Sequence, residues 1–212
     1  MRDIPVFCTD LGVASLVLKK IPYTKEAYIH LQDSENNEEF LRECCDFCVA
    51  AGAECVYATG DICLQRYPHY TTIIKMQCSR DALNDTDAML FPVQEKTLDT
   101  WREIYNQKML HIPNASYMST LDAKKRVEDG GVYFVHRKGS LLGIGAIRGN
   151  HVDVIASVVP GAGRDVLCAL CSTVTDSVIT LTVASNNAPA MALYNKLGFI
   201  AIEETERWYR II

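Results

Sequence analysis

Residues 178–212 confine the fold more tightly than any other stretch of the chain. VITLTVAS (178–185) is apolar and β-branched, which suits a buried strand. NNAPAMALYNKLGF follows at 186–199. Asn186 and Asn187 are good helix N-caps, Pro189 is tolerated in a first helical turn, and Gly198 ends a helix by adopting the left-handed conformation. FIAIEETERWYRII (199–212) is β-rich again, with a polar EETE break at 203–206 that predicts two strands. Strand, capped helix and strand in immediate succession require a sheet with a helix packed on it.

The upstream pattern extends this plan. YTTIIKMQC (70–78) reads as a strand, and SRDALNDTD (79–87) as a polar loop. KTLDTWREIYNQKML (96–110) has helical spacing, and STLDAKKRVEDGG (119–131) predicts a second helix closed by Gly130–Gly131. VYFVHRK (132–138), LLGIGAIRG (141–149) and HVDVIASVV (151–159) follow on short turns as an antiparallel meander. PGAG (160–163) then opens a helix over 163–175. From about residue 70 the expected order is β-α-α-β-β-β-α-β-α-β-β, an α+β layered fold with a mixed, mostly antiparallel sheet flanked by helices.

The N-terminal part is shorter. The apolar run 13–21 ends at Pro22, and EAYIHLQ (26–32) alternates as a strand does. Ser34 or Asn36–Asn37 offers an N-cap for a helix to about Gly52, with Glu38 and Glu39 in its first turn. ECVYAT (54–59) is a buried strand. Shifted by 126 positions, residues 27–60 overlay 153–186 without gaps. Ile29 then meets Ile155, Leu41 meets Leu167, Cys45 meets Cys171, and Ala58 meets Ala184. The shared strand–helix–strand order suggests a remnant duplication, with an incomplete first copy.

Composition removes several classes of function. With 212 residues the chain forms one large domain or two small ones. A net charge of −5 and the lack of a basic run argue against nucleic acid as a partner. No apolar stretch is long enough to cross a membrane, and MRDIPVFCTDLG lacks the form of a signal peptide, so a cytoplasmic protein is expected. The nine cysteines are then free thiols. Cys44, Cys45 and Cys48 lie in a helical pattern with no histidine at zinc spacing. Core packing accounts for them better than metal or redox work.

Asn187-x-x-Ala190-x-x-Leu193-Tyr194-x-Lys196-x-Gly198-Phe199, placed between two strands, resembles the last helix motif of the GNAT superfamily of acyl-CoA-dependent N-acyltransferases. The resemblance covers roughly residues 70–212. It implies a GNAT acetyltransferase domain at 69–212 preceded by a partial GNAT-like lobe at 1–68. It also implies transfer of an acetyl group from acetyl-CoA to a primary amine on a small molecule or peptide, with no metal. A homodimer is compatible with this assignment. A catalytically degenerate acyl-CoA binder and a dimerising interaction protein are the alternatives.

Such a site must first hold the coenzyme A pyrophosphate. Gly161, Ala162, Gly163 and Arg164 open a helix whose N-terminal amides and dipole favour an anion. PGAG can equally be a simple strand-to-helix turn. The family's loop carries Arg/Gln-x-x-Gly before its last Gly-x-Gly/Ala positions; here that part is missing, leaving fewer amides for the phosphates. The resemblance next assigns Ala156, Ser157 and Val158 to the pantetheine arm through their main chain. A backbone N–H there would meet charge developing on the thioester oxygen. Asn187 is an N-cap, a contact to the coenzyme arm, or both. Tyr194 takes the position of the general acid that protonates the departing thiolate, or is a core tyrosine.

The base is not evident. Counting back by two from Val158 meets only Ala156, Val154 and Val152. His151 and Asp153 have the opposite parity, which only a bulge would change. Trp101, Tyr105, His111, Asn114, Tyr117 and His136 are available to line an acceptor pocket.

Overall fold

The computed structural model describes residues 5–34, 37–83, 85–113 and 115–212. The chain forms two compact units. The first comprises Met1–Ile73, Leu110–Tyr117 and Glu204–Ile212, and the second Ile74–Met109 and Met118–Glu203.

In the first unit, β1 (Val6–Thr9), β2 (Gly12–Val17) and β3 (Glu26–Ser34) are antiparallel neighbours. Pro22 does not terminate the preceding run as expected. It sits in the first turn of the short helix α1 (Ile21–Thr24), where its missing N–H costs nothing. Helix α2 (Asn37–Ala50) then crosses to β4 (Cys55–Thr59), which pairs in parallel with β3. The expected N-cap of α2 falls at 34–37, outside the described side chains. Phe40, Leu41, Cys44 and Cys48 of α2 pack against Ile29, Val56 and Ala58 in one apolar core. Burial pushes the Cys44 and Cys45 thiols up to about 12 and Cys48 to about 11. They stay protonated at neutral pH and act as small apolar residues.

Strand β5 (His69–Ser79) runs through both units. The second unit continues with the edge strand β6 (Met89–Pro92), helices α3 (Leu98–Met109) and α4 (Thr120–Asp129), and the meander β7 (Val132–Arg137), β8 (Ser140–Arg148) and β9 (His151–Ser157). Helix α5 (Gly163–Cys171), strand β10 (Val178–Ala184), helix α6 (Ala188–Lys196) and strand β11 (Ile200–Arg210) complete the chain. Helix α5 ends sooner than the expected 163–175. The strand order of the second unit is β5-β10-β9-β8-β7-β6. The sheet is mixed and mostly antiparallel, with flanking helices, as expected.

The element order differs from expectation at both ends. Two strands, β5 and β6, precede the helices, and EETE does not split the last strand: β11 is continuous. Glu203, Glu204 and Thr205 are exposed, and a strand needs only backbone pairing to pass through a polar stretch. The C-terminal end of β11 pairs antiparallel with β4 through Tyr209↔Ala58 and Arg210↔Tyr57.

The internal overlay survives in the register. Glu26↔Cys55 and His151↔Thr180 each join residues 29 positions apart. Shifted by 126, Glu26↔Cys55 becomes Val152↔Leu181, which is itself a pair. Both copies are therefore parallel βαβ units in the same register.

Helix α5 lies close against β8 because Gly143 and Gly145 face it without side chains. A Cβ on Gly145 would stand 2.2 Å from Leu170 Cδ1, and one on Gly143 would stand 2.8 Å from Val166 Cγ2. Gly145→Val is expected to overpack this contact and cost about 1–3 kcal/mol. A lowered midpoint in urea with an unchanged slope is the corresponding result, and an unchanged midpoint would show that α5 is free to move away.

Candidate functional site

The pairing of β9 with β10 is confined to one end. The register contains Thr180↔His151 and Leu181↔Val152, and Thr180 N–H donates to Asn150 O at 2.9 Å. Residues 153–157 have no register partner on β10. The equivalent ladder in the first unit continues from Glu26↔Cys55 through His30↔Thr59. The second copy thus opens where the first stays closed.

Antiparallel pairing decides which main-chain groups face the opening. Val158 N–H donates to Leu142 O at 2.9 Å, so this pair is a hydrogen-bonded one. Such pairs alternate with pairs whose amides point away. Ala156 and Val158 therefore direct their main chain to β8, and of the three expected arm-binding residues only Ser157 turns to the β10 side. Ile155, which the sequence reading passed over, does the same. Nothing in the sequence distinguishes these two sets, because they depend on the β8–β9 register.

Past Ser157 the chain turns through Pro160 and Gly161, whose φ of +82° favours glycine. Ala162 N–H donates to Val159 O at 3.2 Å. Ala162 is the N-cap of α5 and has no side chain to cap it, so the first amides lack a side-chain acceptor. Gly163 serves close packing: a Cβ there would lie 3.0 Å from Leu193 Cδ2 of α6. Arg164 is exposed. Asp165 is an acid in the same first turn, which would oppose an anion. Arg137 Nη2 neutralises it at 2.6 Å, and Thr86 Oγ1 donates to it at 3.2 Å.

Asn187 is the N-cap of α6, its Oδ1 accepting from Ala190 N–H at 3.4 Å. Its amide NH₂ carries no hydrogen bond among the described residues. Tyr194 is 8% exposed, packs against Phe199 with ring centroids 5.8 Å apart, and belongs to the α5 core. Its hydroxyl nevertheless has no hydrogen-bond partner among the described residues. A buried tyrosine ordinarily finds one. Burial first, and then the nearby Cys171 thiol, pushes its pKa up to about 12.

A bulge resolves the parity of β9. Ala146↔Val154 is followed by Ile147↔Val152, so Asp153 is the extra residue. Val154 and Ala156 pack in the core under α3 and α4, whereas Val152 packs in the core under α5. One step further, His151 returns to the α3/α4 face. Asp153 accepts from Arg148 at 2.9 Å and from Arg126 at 3.5 Å, so its charge is spent. His151 Nδ1 lies 2.9 Å from Thr180 Oγ1, and Nε2 lies 3.8 Å from Asp153 Oδ1. Burial lowers the His151 pKa, against the pull of Asp153.

The residues expected around an acceptor disperse. Trp101 and Tyr105 stack in the core, with Trp101 Nε1 donating to Tyr133 O at 3.1 Å. In the first unit Tyr117 stacks on Tyr23 at 4.2 Å. His111 also belongs to that unit, and Asn114 lies outside the described residues. Among the described residues no group of three His, Cys, Asp or Glu side chains is arranged to hold a metal, and no helix is long and apolar enough to cross a membrane.

With its pKa lowered, His151 is expected to be a neutral imidazole at pH 7 and to titrate below the ordinary 6.5 in an NMR pH series. Asp153→Asn removes the carboxylate that favours the imidazolium, so it should lower the midpoint further. A midpoint that rises would assign the shift to something other than burial.

No family model matches the chain, and no curated protein is significantly similar to it in sequence. Solved structures are similar in fold. A GCN5-related N-acetyltransferase from Anabaena variabilis matches 94% of this chain and 59% of its own, with a TM-score of 0.60 at 10% identity. Another from Sphaerobacter thermophilus matches over 93% and 75%, with a TM-score of 0.53 at 10% identity. A functionally unknown conserved protein from Staphylococcus epidermidis matches over 99% and 94%, with a TM-score of 0.58 at 9% identity. At such identities the likeness is one of architecture: the chain has the fold of the GCN5-related N-acetyltransferases of the GNAT superfamily.

Proposed function

We propose that the protein transfers an acetyl group from acetyl-CoA to a primary amine of a small molecule or peptide in the cytoplasm. The observation that carries this reading is the opening of β9 from β10 beyond Val152↔Leu181. It leaves main-chain groups of Ile155 and Ser157 available to an extended amide-bearing arm, and it leads to the uncapped start of α5. The residues present fit the coenzyme: amides, a dipole end and Arg164 for its pyrophosphate, and an unpaired ladder for its arm.

Acetyl-CoA supplies an activated thioester. Gly161, Ala162, Gly163 and Arg164 hold the anionic end, and Arg137 keeps Asp165 from repelling it. The Asn187 amide NH₂ can donate to the arm. From Ser157 back to the bulge at Asp153 is about 13 Å of strand, so an arm along β9 directs its reactive end toward the closed end of the opening. Main-chain N–H groups on that edge meet negative charge on the carbonyl oxygen. Tyr194 holds its proton at every pH below about 12, so the donor for the leaving sulfur is loaded throughout the working range. Neutral His151, oriented through Thr180, can accept the amine proton.

The short loop before α5 favours one alternative, a binder that no longer turns over. Both readings require the coenzyme to bind. Calorimetry with acetyl-CoA is expected to give one equivalent per chain, because the β3–β4 ladder has no opening. Two equivalents would contradict the closed first unit, and no binding at millimolar ligand would remove the reading. Release of thiol on adding a panel of amines separates enzyme from binder.

Tyr194→Phe keeps the ring against Phe199 and removes a hydroxyl that has no partner among the described residues. Thermal stability should therefore barely move, while turnover falls roughly 100-fold or more. Acetyl-CoA affinity should persist. Unchanged turnover would leave Tyr194 as packing alone.

A further inference from the structure

A groove of about 490 Å³ in the second unit lies apart from the opening between β9 and β10. Met89, Phe91 and Pro92 of the edge strand β6 and Phe134 of β7 form its apolar walls. Its volume is that of a small-molecule site. Met89 and Phe91 are 59% and 45% exposed, far more than the fold requires of strand side chains. The groove stands at the N-terminal end of α3, and the far end of that helix, Met109, is roughly 16 Å away along its axis. Of the residues expected around an acceptor it includes His136 but none of those at 101–117.

Gln94, His136 and Lys138 are the groove side chains that can donate. Gln94 accepts from Thr97 N–H through its main-chain carbonyl at 2.9 Å, so its side-chain amide takes no part in the cap. Lys138 forms no ion pair among the described residues, and no Asp or Glu lines the groove. His136 stands edge-on to Phe91, with ring centroids 5.0 Å apart. Its Nδ1 is buried with no hydrogen-bond partner. With its proton on Nε2, the ring presents a donor to the groove. Nε2 has no partner either among the described residues. Apolar walls, two neutral donors and one cation with no acid beside it are the complement of an aromatic acid.

We propose that this groove binds a small aromatic carboxylate. The ring lies against Phe91, Phe134 and Met89, whose sulfur suits an aromatic edge, and the carboxylate accepts from His136 Nε2–H and Lys138. This site is independent of acetyl transfer and stands even if that activity is absent.

Calorimetry on the full chain with phenylacetate tests it, with phenylacetamide and phenethylamine as the neutral and cationic controls. Phenylacetate should bind saturably at one per chain, the amide more weakly, and the amine not at all. Lys138→Glu, on an exposed turn, should weaken phenylacetate roughly tenfold without moving the melting temperature. His136→Phe, which keeps a ring and removes the donor, should weaken it similarly. The proposal is overturned if phenylacetate gives no saturable heat at about 10 mM, if the amine binds as well as the acid, or if both variants bind it unchanged.

Discussion

Parallel pairing of β9 with β10 stops at Val152↔Leu181, and the chemistry available to the second unit depends on that stop. A parallel ladder satisfies every main-chain group along it. Once it ends, the groups on the facing edge must find water or a ligand. Ile155 and Ser157 are left in this position, while Ala156 and Val158 remain tied to β8. The bulge at Asp153 sits beside the stop, and Arg148 and Arg126 hold it there. One extra residue thus does two things. It disturbs the strand just where pairing fails, and it turns His151 to the face that carries Val154 and Ala156.

The first unit shows what the same arrangement is without the opening. Its βαβ element has the same register, but β3 and β4 stay paired through His30↔Thr59. Gly60 follows at φ +110°, and a Cβ there would fall 2.2 Å from Leu31 O, so backbones meet closely at the end where the second unit separates. The face away from α2 is filled by rings instead: Tyr28 stacks on Tyr57, and His30 and Tyr28 stand edge-on to Trp208. Lys20 is buried beside them, its Nζ donating to Ile112 O at 3.2 Å with Glu26 at 3.6 Å. In this half the ladder stays closed and side chains pack over that face.

Electrostatics at the start of α5 follows similar logic. A first-turn acid normally complements the helix dipole. Asp165 does so, and its salt bridge to Arg137 neutralises its charge at the start of the helix. The glycines divide the remaining work. Gly161 provides the positive φ of the turn, Gly163 the close approach to Leu193, and Gly143 and Gly145 the space in which α5 reaches β8.

The sequence by itself determined the elements and their kind. Apolar β-branched runs, the Asn187 cap, Gly198 and the 126-residue overlay are local or periodic signals, and each survives in the structure. The fold class was legible in them, as were the loop before α5 and the helix bearing Tyr194. The ends of the domain were not, because a polar stretch such as 203–206 can remain a strand when a neighbour supplies its hydrogen bonds. Other features of the candidate site rest on the tertiary structure. Which amides of 155–158 face away from β8, that Asp153 is a bulge, that His151 meets Thr180, and that the Tyr194 hydroxyl lacks a partner among the described residues all depend on packing between segments distant in the chain. A bulge has no residue signature of its own, and hydrogen-bond direction in a strand is fixed by its neighbour's register rather than by its own side chains.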